Sequence, residues 1–119
     1  MDFSLSSEHL MVQKMVRDFA VKEVQPTIKE WDRQQAMNPA TLPRLAELGI
    51  LGLCLPVKYG GQGFDYITLG LACEELEAVD TSLRVVMSVH VGLNSLALLQ
   101  WGTEEQKQRW LAPQAKGEK

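Results

Sequence analysis

The chain has 119 residues, enough for one domain with one core, and its 45% hydrophobic and 23% charged content excludes intrinsic disorder. A net charge of −3 gives no electrostatic footprint for nucleic acid, and no Lys/Arg cluster indicates binding to an anionic membrane. The two cysteines, Cys54 and Cys73, lie in apolar stretches without CxxC spacing. This pattern predicts buried free thiols and fits a reducing compartment.

The N-terminal residues resemble neither a secretory signal nor a transit peptide. They lack a basic n-region, a long apolar run and an Arg-rich bias. We therefore expect the mature chain to start at Met1 and the protein to be cytoplasmic, most simply in a bacterium.

Apolar residues at helical spacing predict three helices in the first half of the chain. The first begins after the N-cap Ser6 and stops before Pro26, because proline cannot donate to the helical hydrogen-bond ladder. The second runs from Pro26 to near Met37. The third ends before Gly49, which stands after the C-cap, where a positive φ is common.

A non-helical segment separates these helices from the rest of the chain. Gly52–Pro56 is predicted to be extended, and Val57–Gly63 is a glycine-rich loop. The loop lacks the GK[ST] ending of a P-loop, and Tyr66 stands at the third glycine position of a dinucleotide-binding loop, so we predict a structural role. Asp65 is expected to cap the fourth helix.

The fifth predicted helix, residues 82–101, is apolar around most of its circumference. Such a helix is buried on all sides or spans a membrane. Polar residues interrupt it and charged helices flank it, which favours a central core helix of a soluble protein. Thr103 with Gln106 forms a capping-box pattern that starts a sixth helix. The sequence therefore predicts an all-α, up-and-down bundle of about six helices without strands.

Few polar residues indicate a metal-binding or catalytic role. No histidine stands at metal-ligand spacing from the acidic residues after Ala72, so we predict a solvated helix face and no metal site there. His9 is expected at the surface, and His90 is interpreted as a hydrogen-bonded core histidine in preference to a catalytic base. The acidic residues are Glu74, Glu75, Glu77 and Asp80.

Arg84 is the only charged residue between Ser82 and Gln100, and an arginine on a largely apolar helix needs a partner. Two interpretations stay open: an ion pair with Asp80 or a neighbouring domain, and an anion site in a ligand pocket. Residue chemistry alone thus indicates a helical domain that is part of something larger.

Three stretches resemble the acyl-CoA dehydrogenase family, and they occur in that family's order and spacing. The resemblance covers nearly the whole chain, and the ordered set is more specific than any one motif. The stretches are LAELGILGL at 45–53 with PVKYGGQG at 56–63; EEL at 74–76 with DTSL at 80–83 and MSVH at 87–90; and WGTEEQK at 101–107 with WL at 110–111 and KGE at 116–118.

The resemblance implies that residues 1–119 are an N-terminal helical domain, without the β-domain and second helical domain of the family. In that family FAD lies between the two latter domains. A glutamate of the last domain removes the α-proton of an acyl-CoA, and hydride passes from the β-carbon to the flavin. The resemblance also implies an electron-transfer flavoprotein as partner and a homotetramer at full length. We expect no catalytic residue and no bound FAD in this chain, which alone should be inactive.

The resemblance further implies that the helix at 82–101 forms one wall of an acyl-chain pocket. Val85, Ser88, Val89 and Leu93 lie on one stripe at i, i+3, i+4 and i+8, so they are the expected substrate contacts; core packing is the alternative for each. Arg84 matches an arginine that holds the distal carboxylate in glutaryl-CoA dehydrogenases. Those enzymes have serine where this chain has Val85, so a monocarboxylic acyl-CoA is the default expectation.

Other functions remain open. An acyl-CoA oxidase or flavin monooxygenase of the same fold would use oxygen as acceptor, and the N-terminal domain hardly separates these from a dehydrogenase. A non-catalytic helical interaction module is a third possibility. The broadly apolar fifth helix argues against it, because any part that the bundle leaves uncovered would be an interface for missing domains.

Overall fold

The computed structural model describes residues 2–119, and Met1, the predicted mature start, lies outside the described residues. Within that range the chain is helical and has no strand, which confirms the predicted all-α class. The helices are α1 (Ser7–Phe19), α2 (Ile28–Gln34), α3 (Thr41–Glu47), α4 (Tyr66–Glu77), α5 (Thr81–Trp101) and α6 (residues 104–115).

α1 and α2 form one continuous helical path, so the predicted break at Pro26 is wrong. A π-helical segment, Ala20–Val24, and a 3₁₀ turn, Gln25–Thr27, join them. Pro26 stands in the first turn of that 3₁₀ segment, where a missing N–H is tolerated. α2 ends at Gln34, earlier than predicted, because Gln35 adopts a left-handed conformation with φ of 52°. The predicted six helices therefore form five uninterrupted helical stretches within residues 2–119.

The segment between α3 and α4 is built from turns, so the extended conformation predicted for Gly52–Pro56 is wrong. A 3₁₀ turn at Ile50–Gly52 leads into it and another follows at Val57–Tyr59. The leucines of this segment are buried, and their amides bond locally: the Leu53 N–H donates to the Ile50 carbonyl. Local turns satisfy the buried backbone where no neighbouring strand is present to do so.

The main core lies where α1, α4 and α5 pack together, and a smaller core lies under α6. Each fully buried aliphatic side chain stabilises the fold by about 1.5–3 kcal/mol relative to the exposed state. The main core includes Val12, Val16, Phe19, Ala72, Leu76, Leu83, Met87 and Val91; the smaller one is Leu55, Tyr59, Leu111 and Ala115.

Side-chain caps fix the first residues of several helices. Asp65 accepts from the Thr68 N–H at the start of α4, and Thr103 and Gln106 form a complete capping box at α6, so both predictions are confirmed. Gly49 has a φ of 73° after the C-cap of α3, as predicted.

His9 lies at the surface as predicted, but it is half-buried and connects two helices. Its Nδ1 accepts from the Ser6 N–H, which completes a capping box at α1. Its Nε2 lies 2.9 Å from Asp65 Oδ2 at the start of α4. Because Nδ1 accepts, the neutral ring carries its proton on Nε2 and donates it to Asp65.

Glu75 departs from the acidic face predicted for α4. Its side chain is buried, and both carboxylate oxygens accept from the Arg17 guanidinium of α1, with Nε to Oε2 at 2.7 Å. This bond to Glu75 raises the pKa of Arg17. Glu75 thus joins α1 to α4, while Glu74 and Glu77 are exposed as predicted.

Candidate functional site on the long apolar helix

α5 has two opposite faces. The core stripe, defined as Leu83, Met87, Val91 and Ser95, is fully buried against the bundle. The exposed stripe, defined as Val85, Val89, Leu93, Ala97 and Trp101, repeats at the same i+4 spacing on the other side. Both stripes are apolar except for Ser95, which explains why the composition alone does not distinguish the inner face from the outer one.

The exposed stripe overturns the prediction of a central core helix buried on all sides. Leu93 is 68% exposed and Trp101 80%. Only 22% of the most apolar part of α5 is buried. By length and composition α5 could cross a membrane, but core helices of soluble proteins also satisfy this criterion, which makes it weak evidence. A contiguous apolar surface of this kind marks a binding face.

The exposed stripe borders a broad apolar groove at the C-terminal half of α5. Two adjoining clefts of about 670 and 420 Å³ share Ala97 and Trp101. Tyr66, from the first turn of α4, and Trp110, from α6, line the two clefts. Sequence reasoning missed Trp101, although it continues the i+4 spacing from Leu93; no local signal could place Tyr66 or Trp110 beside it.

A partly buried polar network holds α5 against α6. His90 Nε2 lies 2.9 Å from the Gln114 backbone carbonyl. The Ser95 hydroxyl lies 2.9 Å from the His90 carbonyl and 3.1 Å from Gln114 Oε1, so these two acceptors share its single proton. His90 is hydrogen-bonded as predicted, but it is half-buried and lies at the edge of the core. The middle of α5, Ser88–Ser95, is π-helical, and the Ser95 bond to His90 lies within this widened segment.

Of the predicted substrate contacts, Val85, Val89 and Leu93 lie on the exposed stripe and Ser88 lies beside it, half-buried. The Ser88 hydroxyl donates to the Val85 carbonyl at 3.1 Å, so its proton is used within the helix. The structure thus brings the four residues to one face of α5, and three of them present apolar surface.

Arg84 stands at the N-terminal end of this face and is partnered by Glu77, not by Asp80. Arg84 Nε donates to Glu77 Oε2 at 2.7 Å, and this bond lowers the pKa of Glu77. Asp80 instead caps α5 by accepting from the Leu83 N–H. Within residues 2–119 the two terminal guanidinium nitrogens of Arg84 have no hydrogen-bond partner. They remain available to an anion.

The glycine-rich loop is not a phosphate site. The backbone N–H groups of five consecutive residues, 60–64, all donate to carbonyls of the loop itself or the preceding turn. At Gly61 a Cβ would collide with the Leu55 carbonyl, so glycine is needed there for close backbone packing. The predicted structural role is therefore confirmed, and we assign no FAD contact to this loop.

Neither cysteine thiol is a candidate nucleophile. Both cysteines are unpaired; Cys54 is buried as predicted, whereas Cys73 is only half-buried. Burial raises the pKa of each thiol, so both stay protonated near neutral pH. Among the described residues, no group of three or more His, Cys, Asp or Glu side chains is placed to hold a metal ion.

Comparison with known families identifies the chain. The family described as "Acyl-CoA dehydrogenase, N-terminal domain" matches residues 6–118. The chain belongs to the acyl-CoA dehydrogenase family. Both α5 and the groove beside it therefore lie within an acyl-CoA dehydrogenase N-terminal domain.

Individual relatives agree in sequence and in fold. The short-chain specific acyl-CoA dehydrogenase of Clostridium acetobutylicum is 39% identical over 119 residues, 100% of this chain and 31% of that protein. Butyryl-CoA dehydrogenase from Megasphaera elsdenii superposes with a TM-score of 0.96 at 34% identity, covering 100% of this chain and 32% of that one. Glutaryl-CoA dehydrogenase from Mycobacterium smegmatis, in complex with FADH2, gives 0.90 at 32% identity, covering 96% and 29%. The chain thus spans about a third of each relative.

Proposed function

We propose that this domain forms one wall of the acyl-chain pocket in an FAD-dependent acyl-CoA dehydrogenase. The observation that carries the proposal is the exposed stripe of α5, an apolar face that the domain does not cover by itself. A hydrocarbon chain gains free energy by leaving water for such a wall, and the depth of the wall limits the chain length that fits.

A short, monocarboxylic acyl-CoA is the proposed substrate, contacted by Val85, Ser88, Val89 and Leu93. The short-chain specific relative from C. acetobutylicum and the butyryl-CoA dehydrogenase from M. elsdenii support this class. A dicarboxylic acyl-CoA is the second candidate. It is favoured by the unpartnered guanidinium nitrogens of Arg84 and by the glutaryl-CoA dehydrogenase relative.

In our proposal, the other parts of the enzyme lie beyond residues 1–119. The β-domain, the second helical domain, the FAD site and the catalytic base lie there, with an electron-transfer flavoprotein as electron acceptor and a cytoplasmic homotetramer as the working form. The relatives are named dehydrogenases, which supports that class over an oxygen-dependent oxidase or monooxygenase. We assign the 119 residues alone no dehydrogenase activity.

A chimera tests the proposed wall directly. Residues 1–119 replace the segment that they match in the C. acetobutylicum dehydrogenase, and kcat/KM is measured for acyl-CoAs of increasing chain length. Val89→Phe should fill the pocket and lower kcat/KM for longer acyl chains roughly tenfold more than for butyryl-CoA.

Met11→Phe is the matched control, because Met11 is an exposed apolar residue of α1, away from α5. It should leave the chain-length profile unchanged. A Val89→Phe profile parallel to that of the unmodified chimera would contradict the assignment of this face to the acyl chain.

A further inference from the structure

We propose that Ser95 is a positioning residue for the acyl-chain wall, because its hydroxyl holds the middle of α5 in the π-helical form that keeps the exposed stripe straight. The role rests on the proposed function, in which the exposed stripe contacts the acyl chain. Ser95 itself is fully buried on the other side of the helix, so it acts on the substrate only through the shape of the wall.

The exposed stripe repeats every four residues, which a regular α-helix cannot keep on one face. With 3.6 residues per turn, each step of four residues overshoots a full turn by about 40°. Over the four steps from Val85 to Trp101 the drift would reach roughly 160°, which would place Trp101 on the side opposite Val85. Yet all five residues of the exposed stripe are exposed, and the core stripe, with the same spacing from Leu83 to Ser95, is fully buried. Part of α5 therefore turns less per residue than an α-helix.

The π-helical segment Ser88–Ser95 supplies this lower twist. Its backbone bonds span five residues instead of four, and the Leu96 N–H accordingly donates to the Val91 carbonyl. A wider turn contains more residues, so each residue rotates the helix by less. The segment lies between two α-helical ends, Thr81–Met87 and Leu96–Trp101, and it offsets the drift that accumulates along both of them.

The Ser95 hydroxyl favours the π form over the α form. It lies 2.9 Å from the His90 carbonyl, five residues earlier in the chain. In an α-helix a serine hydroxyl reaches the carbonyls three or four residues earlier, so this contact depends on the π geometry. Because Ser95 is fully buried, water cannot replace the contact if the segment changes its form.

α6 supports the same segment from the neighbouring helix. His90 Nε2 lies 2.9 Å from the Gln114 carbonyl, and Gln114 Oε1 lies 3.1 Å from the Ser95 hydroxyl. Gln114 thus contacts both residues that form the bond across the π segment. The whole arrangement lies inside this domain, so it is present whatever packs against the exposed stripe.

Ser95→Ala in the C. acetobutylicum chimera tests the proposal by removing a single oxygen atom. Without the hydroxyl we expect the segment to relax toward an α-helix. A crystal structure of the variant should then show the Leu96 N–H bonded to Gly92, four residues earlier, instead of Val91. Because Leu93 would no longer face the same side as Val85, kcat/KM for butyryl-CoA should fall roughly tenfold while flavin stays bound.

Leu83→Val is the matched control. Leu83 is an equally buried residue of the core stripe, but it lies in the α-helical part of α5. Its substitution should lower the melting temperature of the chimera, as Ser95→Ala does, and leave both the π segment and kcat/KM for butyryl-CoA unchanged. A Ser95→Ala chimera that keeps the π segment, or that loses no more activity than Leu83→Val, would overturn the proposal.

Combining Ser95→Ala with Val89→Phe separates this role from the pocket wall itself. In the Ser95→Ala background, Val89→Phe should lose most of its tenfold discrimination against longer acyl chains, because the two changes act on the same surface. If Val89→Phe discriminates equally in both backgrounds, the pocket wall stands and the role of Ser95 fails. If Val89→Phe by itself has no effect, the pocket wall fails, and the crystal structure still decides whether Ser95 holds the π form.

Discussion

The carboxylate of Asp65 both caps α4 and pairs with a residue of α1. Its Oδ1 accepts from the Thr68 N–H and hydroxyl to cap α4, and its Oδ2 pairs with His9 of α1. The Thr68 amide bond, followed by the bonds from His9 and the Thr68 hydroxyl, lowers the pKa of Asp65 to about 2. The cap could be predicted from local sequence, whereas the bond to His9 could not, because 56 residues separate the partners.

The lowered pKa of Asp65 predicts a pH-dependent contribution to stability. A carboxyl group with a depressed pKa stabilises the fold fully above its unfolded-state value near 3.8, and the contribution is lost as pH falls through about 2. Asp65→Asn should therefore lower the free energy of unfolding at pH 7, and the difference from wild type should shrink between pH 4 and pH 2. Urea titrations across this range measure the difference.

Asp32→Asn serves as the control for Asp65→Asn. Asp32 is an exposed carboxylate without an ion pair in the described part of the chain. Its substitution should have little effect at any pH. If the loss of unfolding free energy in Asp65→Asn stayed constant down to pH 2, the cap and the His9 pair would not depend on the ionised carboxylate.

At the scale of elements, the caps at Gly49, Asp65 and Thr103 were predictable, whereas the continuous path through Pro26, the end of α2 and the helix faces were not. Gly49, Asp65 and Thr103 act through neighbours a few residues away, so their roles follow from local sequence. Glu75 looks like any acidic residue of α4 until Arg17 of α1 is placed beside it. α5 is apolar on both faces, so its orientation depends on which face the rest of the bundle covers. Because both faces of α5 are apolar, the sequence also did not show that Trp101, Tyr66 and Trp110 lie next to one another.

The two faces of α5 predict opposite responses to the same substitution. Leu83→Ala removes a fully buried side chain and should cost about 2–5 kcal/mol of unfolding free energy. Leu93→Ala removes a mostly exposed side chain and should change the unfolding free energy by less than about 0.5 kcal/mol. Both values come from urea unfolding at the same protein concentration. Similar losses for the two variants would contradict the assignment of the inner and outer faces.

At the scale of the whole molecule, the domain resembles one part of a larger enzyme in both sequence and surface. The matched relatives are about three times longer, and the face that the bundle leaves open is the one that the family resemblance assigns to the acyl chain. Its fold class was predictable because helical periodicity and motif order agree along nearly the whole chain. Substrate identity was not, since Arg84 favours one class of acyl group and the residue after it favours another.

In our proposal this domain completes the substrate site of an acyl-CoA dehydrogenase. The most direct measurement is the visible spectrum of the C. acetobutylicum chimera during anaerobic addition of butyryl-CoA. We expect bound flavin whose absorption bleaches when butyryl-CoA is added. In the Leu93→Glu chimera the flavin should stay bound, but butyryl-CoA should no longer bleach it. A folded, flavin-loaded chimera that no acyl-CoA bleaches, or a Leu93→Glu variant that bleaches as well as its parent, would contradict it.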